Sequence, residues 1–396
     1  MLAAGMLRRA LAVDPQRPDV HEQLFRRTGR APRGAAAEVE PAALAEAHPY
    51  DPWARLRAGR AERDAGRPEA AVEHWRWALF TADLDPVSAQ AAFLELARRA
   101  EDARGMSQVP VHLFADESVR AHAGWRFRLR LALRAVSDAL DPILSTALVP
   151  ASIQGFDAED AGAGLSELTA AFQRRGRPDP PRGMLVLLTE RHAPARGRSR
   201  KLGEAQFLGR RLIARLEEDE ILSRVLAHEL LHLYGAVHLS ERVDSLMNPT
   251  GGEWVIRAPN AAILKQTRKR RFGPGGLERN VLSFVDLDAT IDAYLAVIRA
   301  NLALRRAGIQ EVLDDVSTPR ARAQRLRTVA QLDPHLGDVC SFTARLLWRA
   351  QRGPEAVRLF DTAAALYGPR SPEGRAARAQ ADALLQQLRR SAPAPP

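Results

Sequence analysis

Apolar positions with a period of two mark the first strand-like stretch, residues 109–115, where Val109, Val111, Leu113 and Ala115 fall on one side. Residues 125–144 shift to helical spacing, with Phe127, Leu131, Ala135 and Leu140 as the expected buried stripe. Residues 146–153 and 184–189 read as two further strands. The second, Met-Leu-Val-Leu-Leu-Thr, is apolar enough for the centre of a sheet covered on both faces. Residues 203–214 read as one more strand. Residues 221–234 return to a helical period, with Ile221, Leu222, Val225, Leu226, Leu230 and Leu233 forming the apolar face. A last helix follows over residues 258–271. Outside residues 106–272 the pattern is helical throughout.

Composition narrows the class. The chain has 396 residues, enough for two or three domains, and 46% of them are apolar, which excludes a disordered chain. One cysteine, Cys340, excludes an intrachain disulfide framework. No apolar run approaches 18 residues, so no membrane span is expected, and the first residues lack a secretory pattern, which points to the cytoplasm. The net charge is +10 with pI near 10.6, carried almost wholly by arginine; there are three lysines, Lys201, Lys265 and Lys269. The arginines are interleaved with acids, so no nucleic-acid partner is expected. The densest cluster, residues 265–271, reads as a solvated helix face.

The flanks resemble tetratricopeptide repeats. In residues 53–86, Gly59, Gly66, Ala71, Trp75, Ala78 and Leu79 fall at that repeat's small and aromatic positions, although Asp83 stands where the closing proline belongs and Pro86 follows late. Residues 9–15 look like the end of another hairpin, and residues 26–49 include a loop by composition. Downstream, residues 281–316 read as one or two helices. Residues 320–388 read as hairpins, one closed by Leu332, Asp333 and Pro334, another patterned by Ala344, Gly353, Ala356, Phe360 and Ala363. Residues 273–276 have linker composition and residues 392–396 that of a disordered tail. Stacked helical hairpins form concave surfaces, so a protein partner is one expectation; helices that merely pack on the central segment are the other.

The chemistry concentrates in residues 228–238, His-Glu-Leu-Leu-His-Leu-Tyr-Gly-Ala-Val-His, which hold three of ten histidines. His228 and His232 are spaced i, i+4 and share a helix face. Glu229 stands beside the first. Gly235 is expected to break the helix by taking positive φ and to swing His238 back toward the pair. Three neutral imidazoles with an open fourth position describe a catalytic zinc site. A buried helix with incidental histidines is the bland alternative, disfavoured because three buried imidazoles need partners.

With Met247 nine residues beyond His238, in Ser-Leu-Met-Asn-Pro, this stretch resembles the metzincin zinc peptidases. The residue after the third histidine, Leu239, matches no subfamily, and Asn248-Pro249 is weakly matrixin-like. The resemblance covers about 40% of the chain. It implies a multi-domain α+β protein: a mixed sheet with a zinc-binding helix over residues 106–272, flanked by all-α repeat-like segments over 1–105 and 277–396. It implies one catalytic Zn2+ held by His228, His232 and His238, with Glu229 as general base and Met247 as a hydrophobic floor. Residues 204–209 match by position the edge strand to which an extended peptide adds, which makes Glu204, Ala205, Gln206 and Phe207 candidate substrate contacts. Residues 251–259 would form a pocket wall. The expected function is a zinc-dependent endopeptidase acting on a peptide or protein. The alternatives are a repeat-bearing scaffold that binds peptides with little turnover, and a zinc hydrolase of non-peptide amides.

Overall fold

In the computed structural model the described residues are 40–49, 51–81, 88, 91–92, 95–96, 107–122, 125–158, 162, 164–174, 180, 182–191, 202–239, 243–248, 253–274, 276–314, 318–330 and 333–391. The expectations for residues 9–15, most of 26–49, Asp83, Pro86, Leu332 and the tail lie outside them. The chain divides into two compact units. One comprises the chain up to Leu233 with Arg271–Gly276; the other comprises Tyr234–Arg270 and the chain from Leu277.

Among its described residues, the first unit opens with three helices, α1 (Pro41–Ala47), α2 (Pro52–Asp64) and α3 (Pro68–Phe80). Asp51 caps α2 by accepting from the Trp53 amide at 2.9 Å, and Pro52 takes the first helical position, where a missing N–H costs nothing. Gly59 and Trp75 meet between α2 and α3. A Cβ at Gly59 would lie 2.3 Å from the indole Nε1, and Trp75 is 1% exposed. The indole therefore needs a glycine opposite it. Gly59→Ala is expected to destabilise the chain by about 1–3 kcal/mol through overpacking; urea unfolding that matches wild type would refute this packing. Leu56, Trp75 and Leu79 share a core with Ala147 and Val149 of the sheet.

The sheet has five strands: β1 (Ser107–Ala115), β2 (Thr146–Gly155), β3 (Met184–Thr189), β4 (Gly203–Ala205) and β5 (Arg211–Arg215), in the order β2-β1-β3-β5-β4. All neighbours pair in parallel except β4 with β5. Between β1 and β2 the register shifts after Val111↔Pro150, so that Ala151 is passed over and His112 faces Ser152. A proline cannot donate to the ladder, and a bulge beside Pro150 absorbs the fault. Pro110 is tolerated for a related reason: β3 joins β1 only from Val111 onward. All six residues of β3 are buried, as its composition predicts.

Helices α4 (Glu117–Arg120), α5 (Trp125–Leu144), α6 (Leu165–Gln173) and α7 (Asp219–Leu233) also belong to this unit. Phe156 and Phe172 join Phe114, Leu185, Leu187 and Ile213 on one sheet face, with Phe172 edge-on to Phe114 at 5.3 Å and to Phe156 at 5.4 Å. The strand residues between them, Val186, Leu188, Leu212 and Ala214, point to the other face. α5 packs against α7 and β2, and α7 against β5 and β4.

Three sequence expectations need correction. The buried stripe of α5 is Leu129, Leu133, Val136, Leu140 and Leu144, spaced 4, 3, 4, 4, whereas Leu131 and Ala135 are exposed. The expected run, spaced 4, 4, 5, drifts off a 3.6-residue face, and the buried Arg130 and Arg134, the latter bonded to Asp138, lie beside it. The side chain of Phe127 lies outside the description. Ile221, placed on the apolar face of α7, is 41% exposed, and Ala227 and Leu231 are buried instead. Residues 203–214 form a hairpin and not one strand: Leu208 takes φ +52° and Gly209 donates back to the Gln206 carbonyl at 2.7 Å.

The second unit holds α8 (Ala258–Thr267), α9 (Gly276–Asn280, its first residue assigned to the first unit), a 3-10 turn at Leu282–Phe284, and α10 (Leu287–Asp314), α11 (Pro319–Val329), α12 (Asp333–Arg349), α13 (Gly353–Tyr367) and α14 (Pro372–Ser391). α10 packs on α8 and α12 through Ile291, Tyr294, Val297 and Ile298, and Tyr294 meets Phe342 edge-on at 5.3 Å. Arg305 grips the Asp333 carboxylate with two hydrogen bonds of 2.7 and 2.6 Å, tying α10 to the start of α12. α12, α13 and α14 pack in succession. Among the described residues no helix is long and apolar enough to cross a membrane.

Candidate metal centre

The site is built from the last turns of α7. Spacing by four brings His228 and His232 onto one face, and their Nε2 atoms stand 3.1 Å apart with the rings at 80°. Helix α7 ends at Leu233, Gly235 takes φ +90°, and His238 comes round. One nitrogen from each of His228, His232 and His238 then lies within 4.8 Å of the others, all three half-buried. These donors suit zinc: imidazole is a standard ligand, and two nitrogens bonded at about 2.05 Å in a tetrahedron stand about 3.3 Å apart. The observed 3.1 Å is close to that.

Glu229 is 7% exposed. It presses on the first residue of β4: a Cβ built on Gly203 would fall 2.4 Å from Glu229 Oε1 and 2.6 Å from its Cγ. The carboxylate thus occupies the space a side chain at Gly203 would fill. The β4–β5 turn also reaches the helix end, where the Leu208 amide donates to the His232 carbonyl at 3.1 Å.

Residues 234–239 have no regular structure, so side chains satisfy their backbone. Asn260 accepts from the Val237 amide at 3.0 Å and donates to the Val237 carbonyl at 2.9 Å. The Thr267 hydroxyl donates to the Tyr234 carbonyl at 2.5 Å. The Tyr294 hydroxyl donates to the Gly235 carbonyl at 3.0 Å. Burial raises the Tyr294 phenol above its usual range, which favours the neutral, donating form. Nearby, burial pushes the Arg270 guanidinium down to about 10, opposed by the Tyr234 and Tyr294 phenols.

Met247 is wholly buried in a tight turn. Its amide donates to the Ser245 hydroxyl, the Asn248 amide to the Ser245 carbonyl at 2.9 Å, and the Leu239 amide to the Met247 carbonyl at 3.0 Å. The turn is thereby joined to the residue that follows His238.

The candidate substrate contacts separate. Glu204 and Ala205 belong to β4, whose one partner strand is β5; Glu204 accepts from the Ser166 hydroxyl at 3.1 Å. Gln206 and Phe207 lie in the turn beyond. Of residues 251–259, the first two lie outside the described residues, Trp254 is 39% exposed, and the Leu246 amide donates to the Val255 carbonyl. Sequence reasoning did not reach Gly203, Asn260, Thr267 or Tyr294.

No protein-family profile matches the chain. No curated protein matches it either. Among solved structures, the archaemetzincin of Methanopyrus kandleri is similar over 41% of this chain and 97% of its own, at 18% identity and a TM-score of 0.31.

Proposed function

We propose that this chain is a zinc-dependent endopeptidase whose catalytic segment spans residues 106–272, with helical segments on either side. The observation that carries the reading is the gathering of three histidine nitrogens within 4.8 Å, beside a buried carboxylate on the same helix. His228, His232 and His238 would hold one zinc ion. When bound, it would supply Lewis acidity and bring the pKa of a ligated water to about 7. Glu229 acts as general base: an Oε takes a proton from the attacking water and later delivers it to the leaving amine. Because this carboxylate is fixed against the Gly203 backbone, it does not reorganise as it works.

An extended peptide would lie along β4, the short strand at the sheet edge, with Glu204 and Ala205 as backbone partners and Gln206 and Phe207 flanking the turn. Met247 would support the third ligand through the Leu239 backbone. The scaffold alternative has no use for a carboxylate at Glu229, which a pure binding module can lose.

Metal analysis tests the proposal. Purified protein is expected to carry one zinc per chain, and His228→Ala, His232→Ala and His238→Ala are each expected to weaken its retention against a chelator. A chain free of zinc, or one whose zinc survives all three substitutions, would sink the assignment.

A further inference from the structure

His228 and His232 are fixed by an α-helix, whereas His238 sits in an irregular loop whose geometry comes from elsewhere. Two of the groups nearest it belong to the helices beyond residue 277. The Asn301 side-chain amide, on α10, donates to the His238 carbonyl at 3.0 Å. The His335 ring, in the first turn of α12, stands edge-on to the His238 ring, with centroids 4.8 Å apart and planes at 88°. One contact fixes the backbone of the third histidine and the other fixes its ring. Tyr294, also on α10, holds the carbonyl of Gly235, where the loop turns.

We propose that α10 and α12 are working parts of the metal centre, in which Asn301 and His335 are positioning residues for His238. The inference rests on the zinc reading above. It differs from an adaptor role for these helices, because it makes the central segment dependent on them for its own metal. The grouping of ligand atoms comprises His228, His232 and His238, and His335 acts on it by packing. Edge-to-face contact is the favoured arrangement of two aromatic rings, and a restricted imidazole loses less freedom when it binds a metal. Partners that orient a metal-ligating histidine typically contribute 10–100-fold in affinity.

The measurement is metal affinity in the full-length chain, read by chelator competition with zinc and by the visible absorption of the cobalt(II) form. Asn301→Ala and His335→Ala are each expected to weaken zinc binding about 10-fold or more and to alter the cobalt spectrum. His335→Phe, which keeps a flat ring against His238, is expected to restore most of the affinity. Gly353→Ala controls for general stability: a Cβ there would meet Leu388 Cδ2 of α14 at 2.7 Å and the Trp348 ring at 3.2 Å, in the last turn of α12, whereas His335 stands in its first. It is expected to lower the melting temperature and leave metal affinity within twofold of wild type. Wild type that binds metal while both alanine variants bind equally well would overturn the inference alone. So would Gly353→Ala weakening binding as much as they do, or His335→Phe behaving like His335→Ala. Wild type that binds neither zinc nor cobalt would overturn the zinc reading itself.

Discussion

Glu229→Ala is expected to retain one zinc per chain, fold as wild type does, and cleave peptides on the order of 10²–10⁴-fold more slowly. The argument is one of placement. Glu229 follows His228 directly on α7, so it accompanies the ligand pair without belonging to the ligand grouping. Removing its carboxylate takes away a proton acceptor and leaves all three imidazoles in place. The fold should tolerate the change, because the vacated space borders the backbone of Gly203, a residue with no side chain to lose support. The comparison is made by peptide-library turnover together with metal content in the same samples. Equal turnover would mean that Glu229 is not the base. Loss of metal along with activity would mean that it serves the ligand site structurally.

Gly203→Ala is expected to have the second largest effect, at a residue with no functional group. Its new Cβ would lie 2.4 Å from Glu229 Oε1 and 2.6 Å from Cγ, well inside contact distance, so the carboxylate must move by about 1 Å. Displacing a catalytic group by that much typically costs about 10²-fold. The loss should fall on kcat with zinc retained, because β4 keeps its pairing with β5 and the histidines are untouched. Combining it with Glu229→Asp, one methylene shorter, makes room again, so the double variant should lose less than the product of the two single losses. Full activity in Gly203→Ala would show that Glu229 works from a different position.

What the sequence made legible was local. The histidine helix could be read because two histidines at i, i+4, a carboxylate and a helix-breaking glycine fall within eleven residues, a pattern set by spacing along one helix. β3 was legible because a strand buried on both faces has few ways to be written, and β1 because its apolar residues alternate. The turn inside residues 203–215 was not, because it uses Leu208 in the left-handed region, and leucine carries no turn signature. Helix α6 was passed over; it is short, and its start is held by Glu167 reaching back to the Gly164 amide. The supports of the His238 loop were also hidden. Asn260, Thr267, Tyr294 and Asn301 act on it from 23, 33, 59 and 63 residues away, and nothing in their neighbourhoods marks a polar residue of a helix as a partner for a distant backbone group.

Sixty-three residues separate His238 from Asn301, and that distance also sets an order of events during synthesis. A ribosome adding about 5–20 residues per second needs roughly 3 to 13 s to pass from one to the other. During that interval the emerging chain has all three histidines but not the helices that hold the third. A cation captured then would meet a helix pair and a loose loop, a softer and less selective trap than the finished centre. On the zinc reading proposed above, a selective centre would therefore have to wait until α10 and α12 have been made and packed.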